Sequence, residues 1–280
     1  MNIGIVGLGL IGGSIGLDLR SQGYYVLGVS RQEQTCQKAI ALGAVDEASS
    51  KLSLLSTADV IFICTPIALI ISTVKLLIPF ISASTILTDV GSVKAPIVKA
   101  VSQVWPNFIG GHPMAGKAES GISVAQLDLF RDRPYVLTPT ENTPQESMVK
   151  VEAIARLLKS QVCFCDPHEH DRAVAWISHL PVMASASLIT ACMSETNPTV
   201  LKLAQELASS GFRDTSRVGG GNPELGQMMA QYNRSEILRS LYSFRDQIDE
   251  FIQYIEQENW QIIEQKLRHT EQSRKHFFQH

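Results

Sequence analysis

The sequence begins with an apolar run, a glycine-rich turn and a helical segment, and this order constrains its fold more than any other feature. Gly7, Gly9 and Gly12 give the spacing G-x-G-x-x-G directly after the apolar residues 2–6. Glycines at these positions allow a tight turn, let the backbone approach a pyrophosphate and let the helix pack on the strand. The free N–H groups at a helix N-terminus attract anions. The segment therefore predicts a dinucleotide site made of a strand, a loop and a helix.

Strands and helices alternate through the first part of the chain, which is typical of a parallel sheet with helices on both faces. The turn is expected at residues 7–13 and the first helix at residues 14–22. Further buried strands are predicted at residues 24–30, 59–65, 85–90, 108–110, 135–138 and 162–165. The fold class is therefore α/β, with an N-terminal doubly wound parallel sheet of Rossmann type.

The pattern changes after Asp166, beyond which no clear strand is predicted. Helices are expected at residues 168–193, 198–209, 223–256 and 260–277. Apolar residues such as Leu241, Phe244 and Ile248 recur at helical spacing and form a stripe that can pack on another helix. We expect a dinucleotide-binding domain at residues 1–166 and an all-helical substrate and dimerisation domain at residues 167–280. A homodimer that forms through residues after 166 is predicted.

Composition argues against several classes of protein. The 24 basic and 27 acidic residues give a net charge of −3, so no basic excess indicates nucleic-acid binding. The apolar run at residues 67–81 is interrupted by Lys75 and Pro79 and is too short for a membrane span. Five dispersed cysteines favour reduced thiols over a disulfide framework. We expect a cytoplasmic protein that acts on a small molecule and binds neither nucleic acid nor membrane.

The residues after the second strand indicate which dinucleotide binds. NAD sites normally place an acid there to accept a hydrogen bond from the ribose 2′-OH, whereas this chain has Ser30 and Arg31. Arg31 can pair with a 2′-phosphate, and Ser30 can donate a hydrogen bond to it. We therefore expect NADP rather than NAD; the alternative is a solvated Arg31. The expected cofactor-binding residues are Gly7, Gly9, Leu10, Ile11, Gly12, Ser30, Arg31, Thr65 and Pro66.

A hydrolase motif overlaps the dinucleotide turn. Residues 12–16 match G-x-S-x-G, the pattern around a nucleophilic serine. The dinucleotide pattern is better placed, because it follows a strand and opens a helix at the start of the sheet. Ser14 is therefore expected to face phosphate or to cap the helix.

A cluster of possible metal ligands is discounted. Residues 163–171 contain two cysteines and two histidines, but their spacing differs from that of zinc sites, and no metal is expected. Cys163 and Cys165 lie two apart in a strand, which a buried apolar face explains. Asp166 or Asp171 is expected to cap the helix that follows.

Two segments that follow predicted strands carry residues suited to chemistry. In open α/β sheets, ligands bind beyond the carboxyl ends of the strands. Ser92 and Lys94, in DVGSVK, are candidates to face the nicotinamide or the substrate, with a helix N-cap as the alternative role for Ser92. His112 lies in GGHPMAG, whose glycines and proline impose an unusual backbone path. Since histidine accepts protons near neutral pH, His112 is the first candidate for a catalytic base.

Two segments of the helical half carry candidate substrate ligands. His179 lies in SHLP, and Arg213 and Arg217 lie in GFRDTSR. An arginine guanidinium can clamp a carboxylate with two parallel hydrogen bonds. The two arginines are four residues apart, and on a helix they would share a face. The alternative for either arginine is a surface ion pair, for example with Asp214.

Six segments together resemble the prephenate/arogenate dehydrogenase family of tyrosine biosynthesis. They are VGLGLIGGS at residues 6–14, DVGSVK at 89–94, GGHPMAG at 110–116, DPHEHD at 166–171, SHLP at 178–181 and GFRDTSR at 211–217. GGHPMAG together with GFRDTSR is specific. The chain is most similar to the stand-alone, NADP-using arogenate dehydrogenases of cyanobacterial type. The resemblance implies an oxidative decarboxylation that gives tyrosine from arogenate.

The resemblance also implies roles for single residues. His112 would take the proton of the ring hydroxyl, and Ser92 would bind the same hydroxyl or hold the nicotinamide in line. Arg217 would bind a substrate carboxylate, and His179 would lie at the substrate side. Arg213 is the weaker of the two arginine candidates.

Three other functions remain open. Prephenate carries a keto group where arogenate has an ammonium, and the same site would convert it to 4-hydroxyphenylpyruvate. A two-domain β-hydroxyacid dehydrogenase would be expected to use a lysine in its helical domain. A non-catalytic NADP-sensing module would need neither the His112 loop nor an arginine clamp.

Overall fold

A computed structural model describes residues 1–117 and 119–278 of the chain, so the last two residues of the predicted helical domain lie outside the described residues. The strands are β1 Asn2–Val6, β2 Tyr25–Val29, β3 Glu47–Ser49, β4 Val60–Ile63, β5 Ile86–Asp89, β6 Phe108–Pro113, β7 Pro134–Thr138 and β8 Gln161–Phe164. The α-helices of the described part are α1 Leu10–Ser21, α2 Glu33–Ala41, α3 Ile67–Leu77, α4 Ala95–Ser102, α5 Gln145–Leu157, α6 Pro167–Val174, α7 Leu180–Met193, α8 Pro198–Leu207, α9 Ser210–Ser216, α10 Pro223–Tyr232, α11 Arg234–Glu256 and α12 Trp260–Arg274.

The strands form one eight-stranded sheet in the order β3-β2-β1-β4-β5-β6-β7-β8. Neighbouring strands from β3 to β6 are parallel, and β7 and β8 are parallel to each other. β7 runs antiparallel to β6, which the prediction of a purely parallel sheet missed. A parallel pair needs a crossover, usually a helix, and the described residues between β6 and β7 contain only the 3₁₀ turn Ile122–Val124.

The strand order reverses between β1 and β4, and this point places the candidate residues together. The parallel strands β1, β4, β5 and β6 all end at the same edge of the sheet. Gly7, Thr65, Ser92 and His112 lie at or just beyond these four strand ends. Ligands of doubly wound sheets bind at this edge, beside the point where the order reverses.

Apolar side chains cover both faces of the sheet, which is why its central strands read as continuous apolar runs. Along a strand, successive side chains point to opposite faces. Ile3 and Ile5 of β1 accordingly pack in one cluster with Ile15 of α1. Ile61 and Ile63 of β4 belong to the cluster on the other face. The core therefore has two layers with the sheet between them.

Helix α1 begins at Leu10, four residues before the predicted start. The prediction read Gly12 and Gly13 as part of the turn, because glycine is a poor helix former. Close packing overrides that propensity, since a Cβ atom on Gly12 would lie 2.2 Å from the carbonyl oxygen of Gly7. Gly7 itself has a φ of 102°, and a Cβ there would meet the Cys64 carbonyl at 2.6 Å.

The predicted C-terminal helices are present, with two interruptions that the sequence did not indicate. The segment predicted at 168–193 contains a π-helical turn at Ala175–His179 between α6 and α7. The segment predicted at 223–256 is divided at Asn233, between α10 and α11. π turns are rare and are frequent at functional sites. Each interruption carries a buried polar side chain: His179 ends the π turn, and Asn233 lies between α10 and α11.

The chain forms two compact units, Met1–Arg234 and a second that starts at Ser235. The boundary predicted at residue 166 lies inside the first unit and stays a prediction. In the second unit, Lys266 pairs with Glu250 and links α12 to α11. Its ammonium group also lies 5.6 Å and 5.4 Å from the ring centres of Phe251 and Tyr254.

One helical run in the described part, Pro167–Met193, is long and apolar enough to cross a membrane. Of its most apolar stretch, 28% is buried within the chain. Core helices of soluble proteins meet the same criteria, so one such run is weak support for a membrane span. The run discounted in the sequence corresponds to a shorter apolar helix, Ile67–Phe80.

Candidate active site

The turn after β1 fits a bound dinucleotide. A Cβ atom built on Gly9 would meet no heavy atom within 4 Å, so the backbone there is open to close approach. Helix α1 has no side-chain cap, so its first N–H groups are available to an anion. The hydroxyl oxygens of Thr65 and Ser92 are buried, without a hydrogen-bond partner in the described part of the chain. A buried hydroxyl without a partner costs free energy, which a bound ligand or water would recover.

The remaining predicted cofactor residues surround this turn. Leu10, Ile11 and Gly12 form the first turn of α1, and Pro66 lies immediately before α3. Ser14, by contrast, is fully buried, and its hydroxyl accepts the backbone N–H of Gln126 at 3.0 Å. This bond ties α1 to the connection between β6 and β7, so neither role predicted for Ser14 is found.

The residues after β2 carry no acid at the position that would face a ribose. Ser30 is half-buried, and its hydroxyl accepts the backbone N–H of Gln32 at 3.4 Å. Arg31 is exposed, and within residues 1–117 and 119–278 no carboxylate is paired with it. Glu33, the first acid, begins α2 rather than ending β2. A cation and a hydroxyl therefore stand where a carboxylate would select NAD.

His112 lies near the end of β6 and is 8% exposed. Its Nδ1 atom is 2.8 Å from Nε2 of His170, and the two rings meet edge to face. Burial is the main cause that holds the pKa of His112 well below its usual range, and His170, Lys94 and His179 lower it further when they are protonated. His112 is therefore neutral at neutral pH, which is the form that accepts a proton.

His170 and Asp171 extend this hydrogen-bond chain, although neither was predicted to have a catalytic role. Nδ1 of His170 is 2.8 Å from a carboxylate oxygen of Asp171. The Asp171 carboxylate accepts the backbone N–H groups of Lys94 at 2.6 Å and of Ala95 at 2.8 Å. Asp171 therefore caps the start of α4, whereas Asp166 caps α6, its own helix, as predicted.

Lys94 does not face a ligand, which corrects one sequence expectation. The side chain is fully buried and pairs with the buried carboxylate of Asp89. The same ammonium donates to the Gly111 carbonyl at 2.7 Å. Burial lowers the pKa of Lys94, and the Asp89 charge opposes that shift. The pair links the end of β5 to Gly111 of β6, the residue before His112.

His179 ends the π turn and is held by Asn233, a residue that the sequence did not single out. The Asn233 amide nitrogen donates to the Asp171 carbonyl at 2.7 Å and lies 3.1 Å from Nδ1 of His179. Burial lowers the pKa of His179 to about 4, so the ring is neutral. Because its Nδ1 faces an N–H donor, the proton of His179 lies on Nε2. That Nε2 atom is buried without a partner in the described residues.

The two arginines differ in their surroundings. Arg213 lies on α9, is exposed and pairs with Asp214 at 3.2 Å, which is the alternative considered for it. Arg217 is exposed at the start of the 3₁₀ turn Arg217–Gly220. Helix α9 ends at Ser216, so the two arginines do not share one continuous α-helix. Ser185 of α7 donates to the Thr215 carbonyl and anchors this segment to the helix that follows His179.

The cysteine segment departs from its prediction. Cys163 is exposed and Cys165 is half-buried, because β8 is the edge strand and not a buried face. The described residues contain no group of three or more His, Cys, Asp or Glu side chains that could hold a metal ion.

Two family models match the chain in sequence. The prephenate dehydrogenase nucleotide-binding domain matches residues 15–164, and the prephenate dehydrogenase dimerization domain matches residues 166–269. The chain belongs to the prephenate dehydrogenase family. It is therefore an oxidoreductase, and the fold class expected from the sequence is confirmed. The Gly7–Gly12 turn lies before the first matched range.

Individual relatives of this family agree with that assignment. A prephenate dehydrogenase of Bacillus subtilis is 31% identical over 262 residues, which are 91% of this chain and 70% of that protein. The crystal structure of Synechocystis arogenate dehydrogenase is 53% identical, covers 99% of this chain and 100% of its own, and has a TM-score of 0.89. A prephenate dehydrogenase of Aquifex aeolicus, solved with hydroxyphenyl propionate and NAD⁺, shares the fold at 24% identity, with a TM-score of 0.93 and coverage of 99% and 98%.

Proposed function

We propose that the chain is an NADP-dependent arogenate dehydrogenase. The observation that carries the proposal is His112, a buried neutral imidazole at the end of β6; the neighbouring strand β5 is followed by Ser92, whose buried hydroxyl has no partner in the described residues. The sequence identity of 53% to the Synechocystis arogenate dehydrogenase supports arogenate as the substrate. The reaction is an oxidative decarboxylation that yields tyrosine and CO₂.

The cofactor site accommodates the nicotinamide dinucleotide. When bound, the cofactor accepts the hydride from the ring carbon that bears the hydroxyl. The turn from Gly7 to Gly12 and the N-terminus of α1 would hold the pyrophosphate. Thr65, Pro66 and Ser92 would line the nicotinamide side, where two hydroxyls need partners.

His112 supplies the base. Nε2 of His112 takes the proton of the ring hydroxyl, which builds carbonyl character on that carbon and favours loss of hydride from it. The ring carboxylate departs as CO₂, its electron pair completes the aromatic ring, and the oxygen regains a proton as a phenol. Ser92 binds the same hydroxyl and keeps it within reach of His112.

A carboxylate of the substrate is bound by residues after 166, in the predicted helical domain. Arg217 offers a guanidinium fork that suits a carboxylate, and Arg213 is the weaker candidate because Asp214 already pairs with it. His179 presents an N–H at Nε2 and no lone pair there, so it would donate to a substrate oxygen. His179 precedes α7, and Arg217 lies on the turn that packs against it. Because Ser185 of α7 donates to the Thr215 carbonyl, the segment that carries Arg217 is held to the helix that follows His179.

The decisive assay compares four pairs: arogenate or prephenate, each with NADP or NAD, followed by absorbance of the reduced cofactor. We expect the highest kcat/KM with arogenate and NADP. Prephenate is the second candidate, favoured by the 31% identity to the Bacillus subtilis prephenate dehydrogenase. Preference for prephenate would change only the side-chain specificity. Absence of activity with all four pairs, while NADP still binds, would indicate a non-catalytic NADP-sensing module.

Cofactor choice gives a sharper prediction. Arg31→Ala is expected to weaken NADP binding about tenfold, because a charge-assisted bond to the 2′-phosphate is lost, and to leave NAD binding unchanged. Titration of each cofactor by fluorescence or calorimetry measures both constants. Lys38→Ala, another exposed cation, on α2, is the matched control. An NADP Kd for Arg31→Ala equal to that of the control would mean that Arg31 is a solvated residue that does not contact the cofactor.

The family match to a dimerization domain at residues 166–269 supports a homodimer. Large apolar side chains remain exposed on α7 and α8, namely Met193, Leu203 and Leu207. Covering such a surface with a second copy removes it from water. We expect light scattering at micromolar concentration to give twice the chain mass of 30.7 kDa. A mass of one chain would contradict this prediction.

We also propose a cytoplasmic location. The five cysteines are all free thiols, which is typical of a reducing compartment.

A further inference from the structure

We propose that His170 and Asp171 are positioning residues that hold His112 with its proton on Nδ1 and its lone pair on Nε2. The proposal rests on the proposed function only where it concerns catalysis, because the tautomer can be measured without turnover. The three side chains form one buried chain of hydrogen bonds that joins α6 to β6.

The direction of each hydrogen bond follows from Asp171. Its carboxylate accepts two backbone N–H groups, from Lys94 and Ala95, and a carboxylate in that position is an acceptor only. Nδ1 of His170 must therefore be the donor in its 2.8 Å contact with Asp171. When His170 is neutral, its imidazole carries one donor and one acceptor, so its Nε2 atom is the acceptor.

The same rule of one donor and one acceptor applies to His112, the proposed base. Because Nε2 of His170 accepts, Nδ1 of His112 donates across the 2.8 Å contact between them. The proton of neutral His112 is thus on Nδ1, and Nε2 keeps its lone pair. The opposite tautomer would place two lone pairs against each other in a buried site, which is costly. The Asp171 carboxylate thus orients His170 through one hydrogen bond, and His170 orients His112 through the next.

The arrangement also stabilises the protonated base. When Nε2 of His112 takes a proton, the imidazolium still donates from Nδ1 to His170, and no proton has to move along the chain. The Asp171 charge lies behind His170, while Lys94 and His179 are the other titratable groups that act on His112. Asp171 holds the residues that follow Ser92 as well, so one carboxylate aligns both catalytic candidates.

Two variants of His170 separate positioning from packing. His170→Met fills similar volume and offers only a weakly accepting thioether sulfur, and kcat is expected to fall about 10–100-fold, with substrate KM and NADP Kd within about twofold. His170→Gln carries an oxygen that can accept from His112, and most of the activity is expected to return. His168→Met and His168→Gln are matched controls, because His168 is exposed on the same helix.

The pH profile gives a readout that loss of packing would not produce. Without an acceptor at Nδ1, the imidazolium of His112 is less stable, and the acidic limb of kcat/KM is expected to move to lower pH in His170→Met. In His170→Gln the limb is expected to stay near its original position. A His170→Met enzyme with native kcat and an unmoved limb would overturn the proposal, as would equal impairment of both variants.

Nuclear magnetic resonance tests the tautomer directly. Two-bond ¹H–¹⁵N spectra distinguish protonated from unprotonated ring nitrogens, and the chain has seven histidines, assignable by substitution. We expect His112 to carry its proton on Nδ1 in the native chain and to lose this preference in His170→Met. A proton on Nε2 in the native chain would refute the proposal. Absent dehydrogenase activity with the expected tautomer would instead refute the proposed function alone.

Discussion

Replacing His112 with asparagine is expected to lower kcat by about 10²–10⁴-fold, the range typical of a lost general base. Asparagine keeps a polar side chain of similar reach, but it cannot accept and hold the hydroxyl proton. His112 lies near the end of β6, and because its Nδ1 atom contacts His170, Nε2 is the ring nitrogen left to accept a proton. The proposed function assigns NADP binding to the Gly7–Gly12 turn and to Arg31, so the NADP Kd is expected to change by less than about twofold.

Steady-state kinetics and a cofactor titration on the same preparation measure both effects. His269→Asn, an exposed histidine on α12, is the control and is expected to match the native enzyme. Equal losses in kcat and in NADP affinity would contradict the base assignment, because they would indicate general damage to the fold. A kcat within about threefold of native would exclude His112 as the base.

The largest effect on stability is expected from Lys94→Ala. This change leaves the Asp89 carboxylate buried and unpaired, with both partners fully buried in the native chain. Removing one member of a buried ion pair typically costs about 3–5 kcal/mol, because the remaining charge has lost its compensation. The bond from Lys94 to the Gly111 carbonyl is lost too, which loosens β6 next to His112. Urea unfolding followed by circular dichroism measures the change in free energy.

An exposed lysine pair provides the comparison. Lys150 pairs with Glu146 on α5, with both side chains exposed, and Lys150→Ala is expected to cost less than about 1 kcal/mol. The double change Asp89→Leu with Lys94→Met removes both charges and is expected to recover much of the stability lost in Lys94→Ala. If Lys94→Ala were no more destabilising than Lys150→Ala, the pair would not be the anchor of β5 and β6.

The core of the fold could be predicted because its signals are local. The apolar runs that became β1, β4 and β5 are short, continuous and bounded by turn residues, as in buried parallel strands. The direction of β7 could not be predicted in the same way, because an apolar run has no direction. The start of α1 was also misplaced, since glycines there serve close packing and not chain flexibility.

The residues of the candidate site also differ in whether their signal is local in the sequence. His112 and His179 could be named as candidates from the sequence because each lies in a short segment whose turn residues or motif mark it. His170 and Asn233 were assigned no role, and Asp171 was considered only as a helix cap. The partners that these three residues contact lie 54 to 77 residues away in sequence, except that His170 and Asp171 are adjacent. Lys94 was assigned to the ligand, whereas its side chain turns inward to Asp89.

By itself, the sequence determined the doubly wound sheet, the dinucleotide turn and the histidine at a strand end, because each depends on the chemistry of neighbouring residues. Only the tertiary structure decided which groups touch His112 and His179. Asp171 is in contact with both groups: its carboxylate lies against Nδ1 of His170, and its carbonyl accepts from the Asn233 amide, which also contacts His179. A hydrogen bond depends on separation in space, and separation along the chain does not report it until the helices have packed against the sheet.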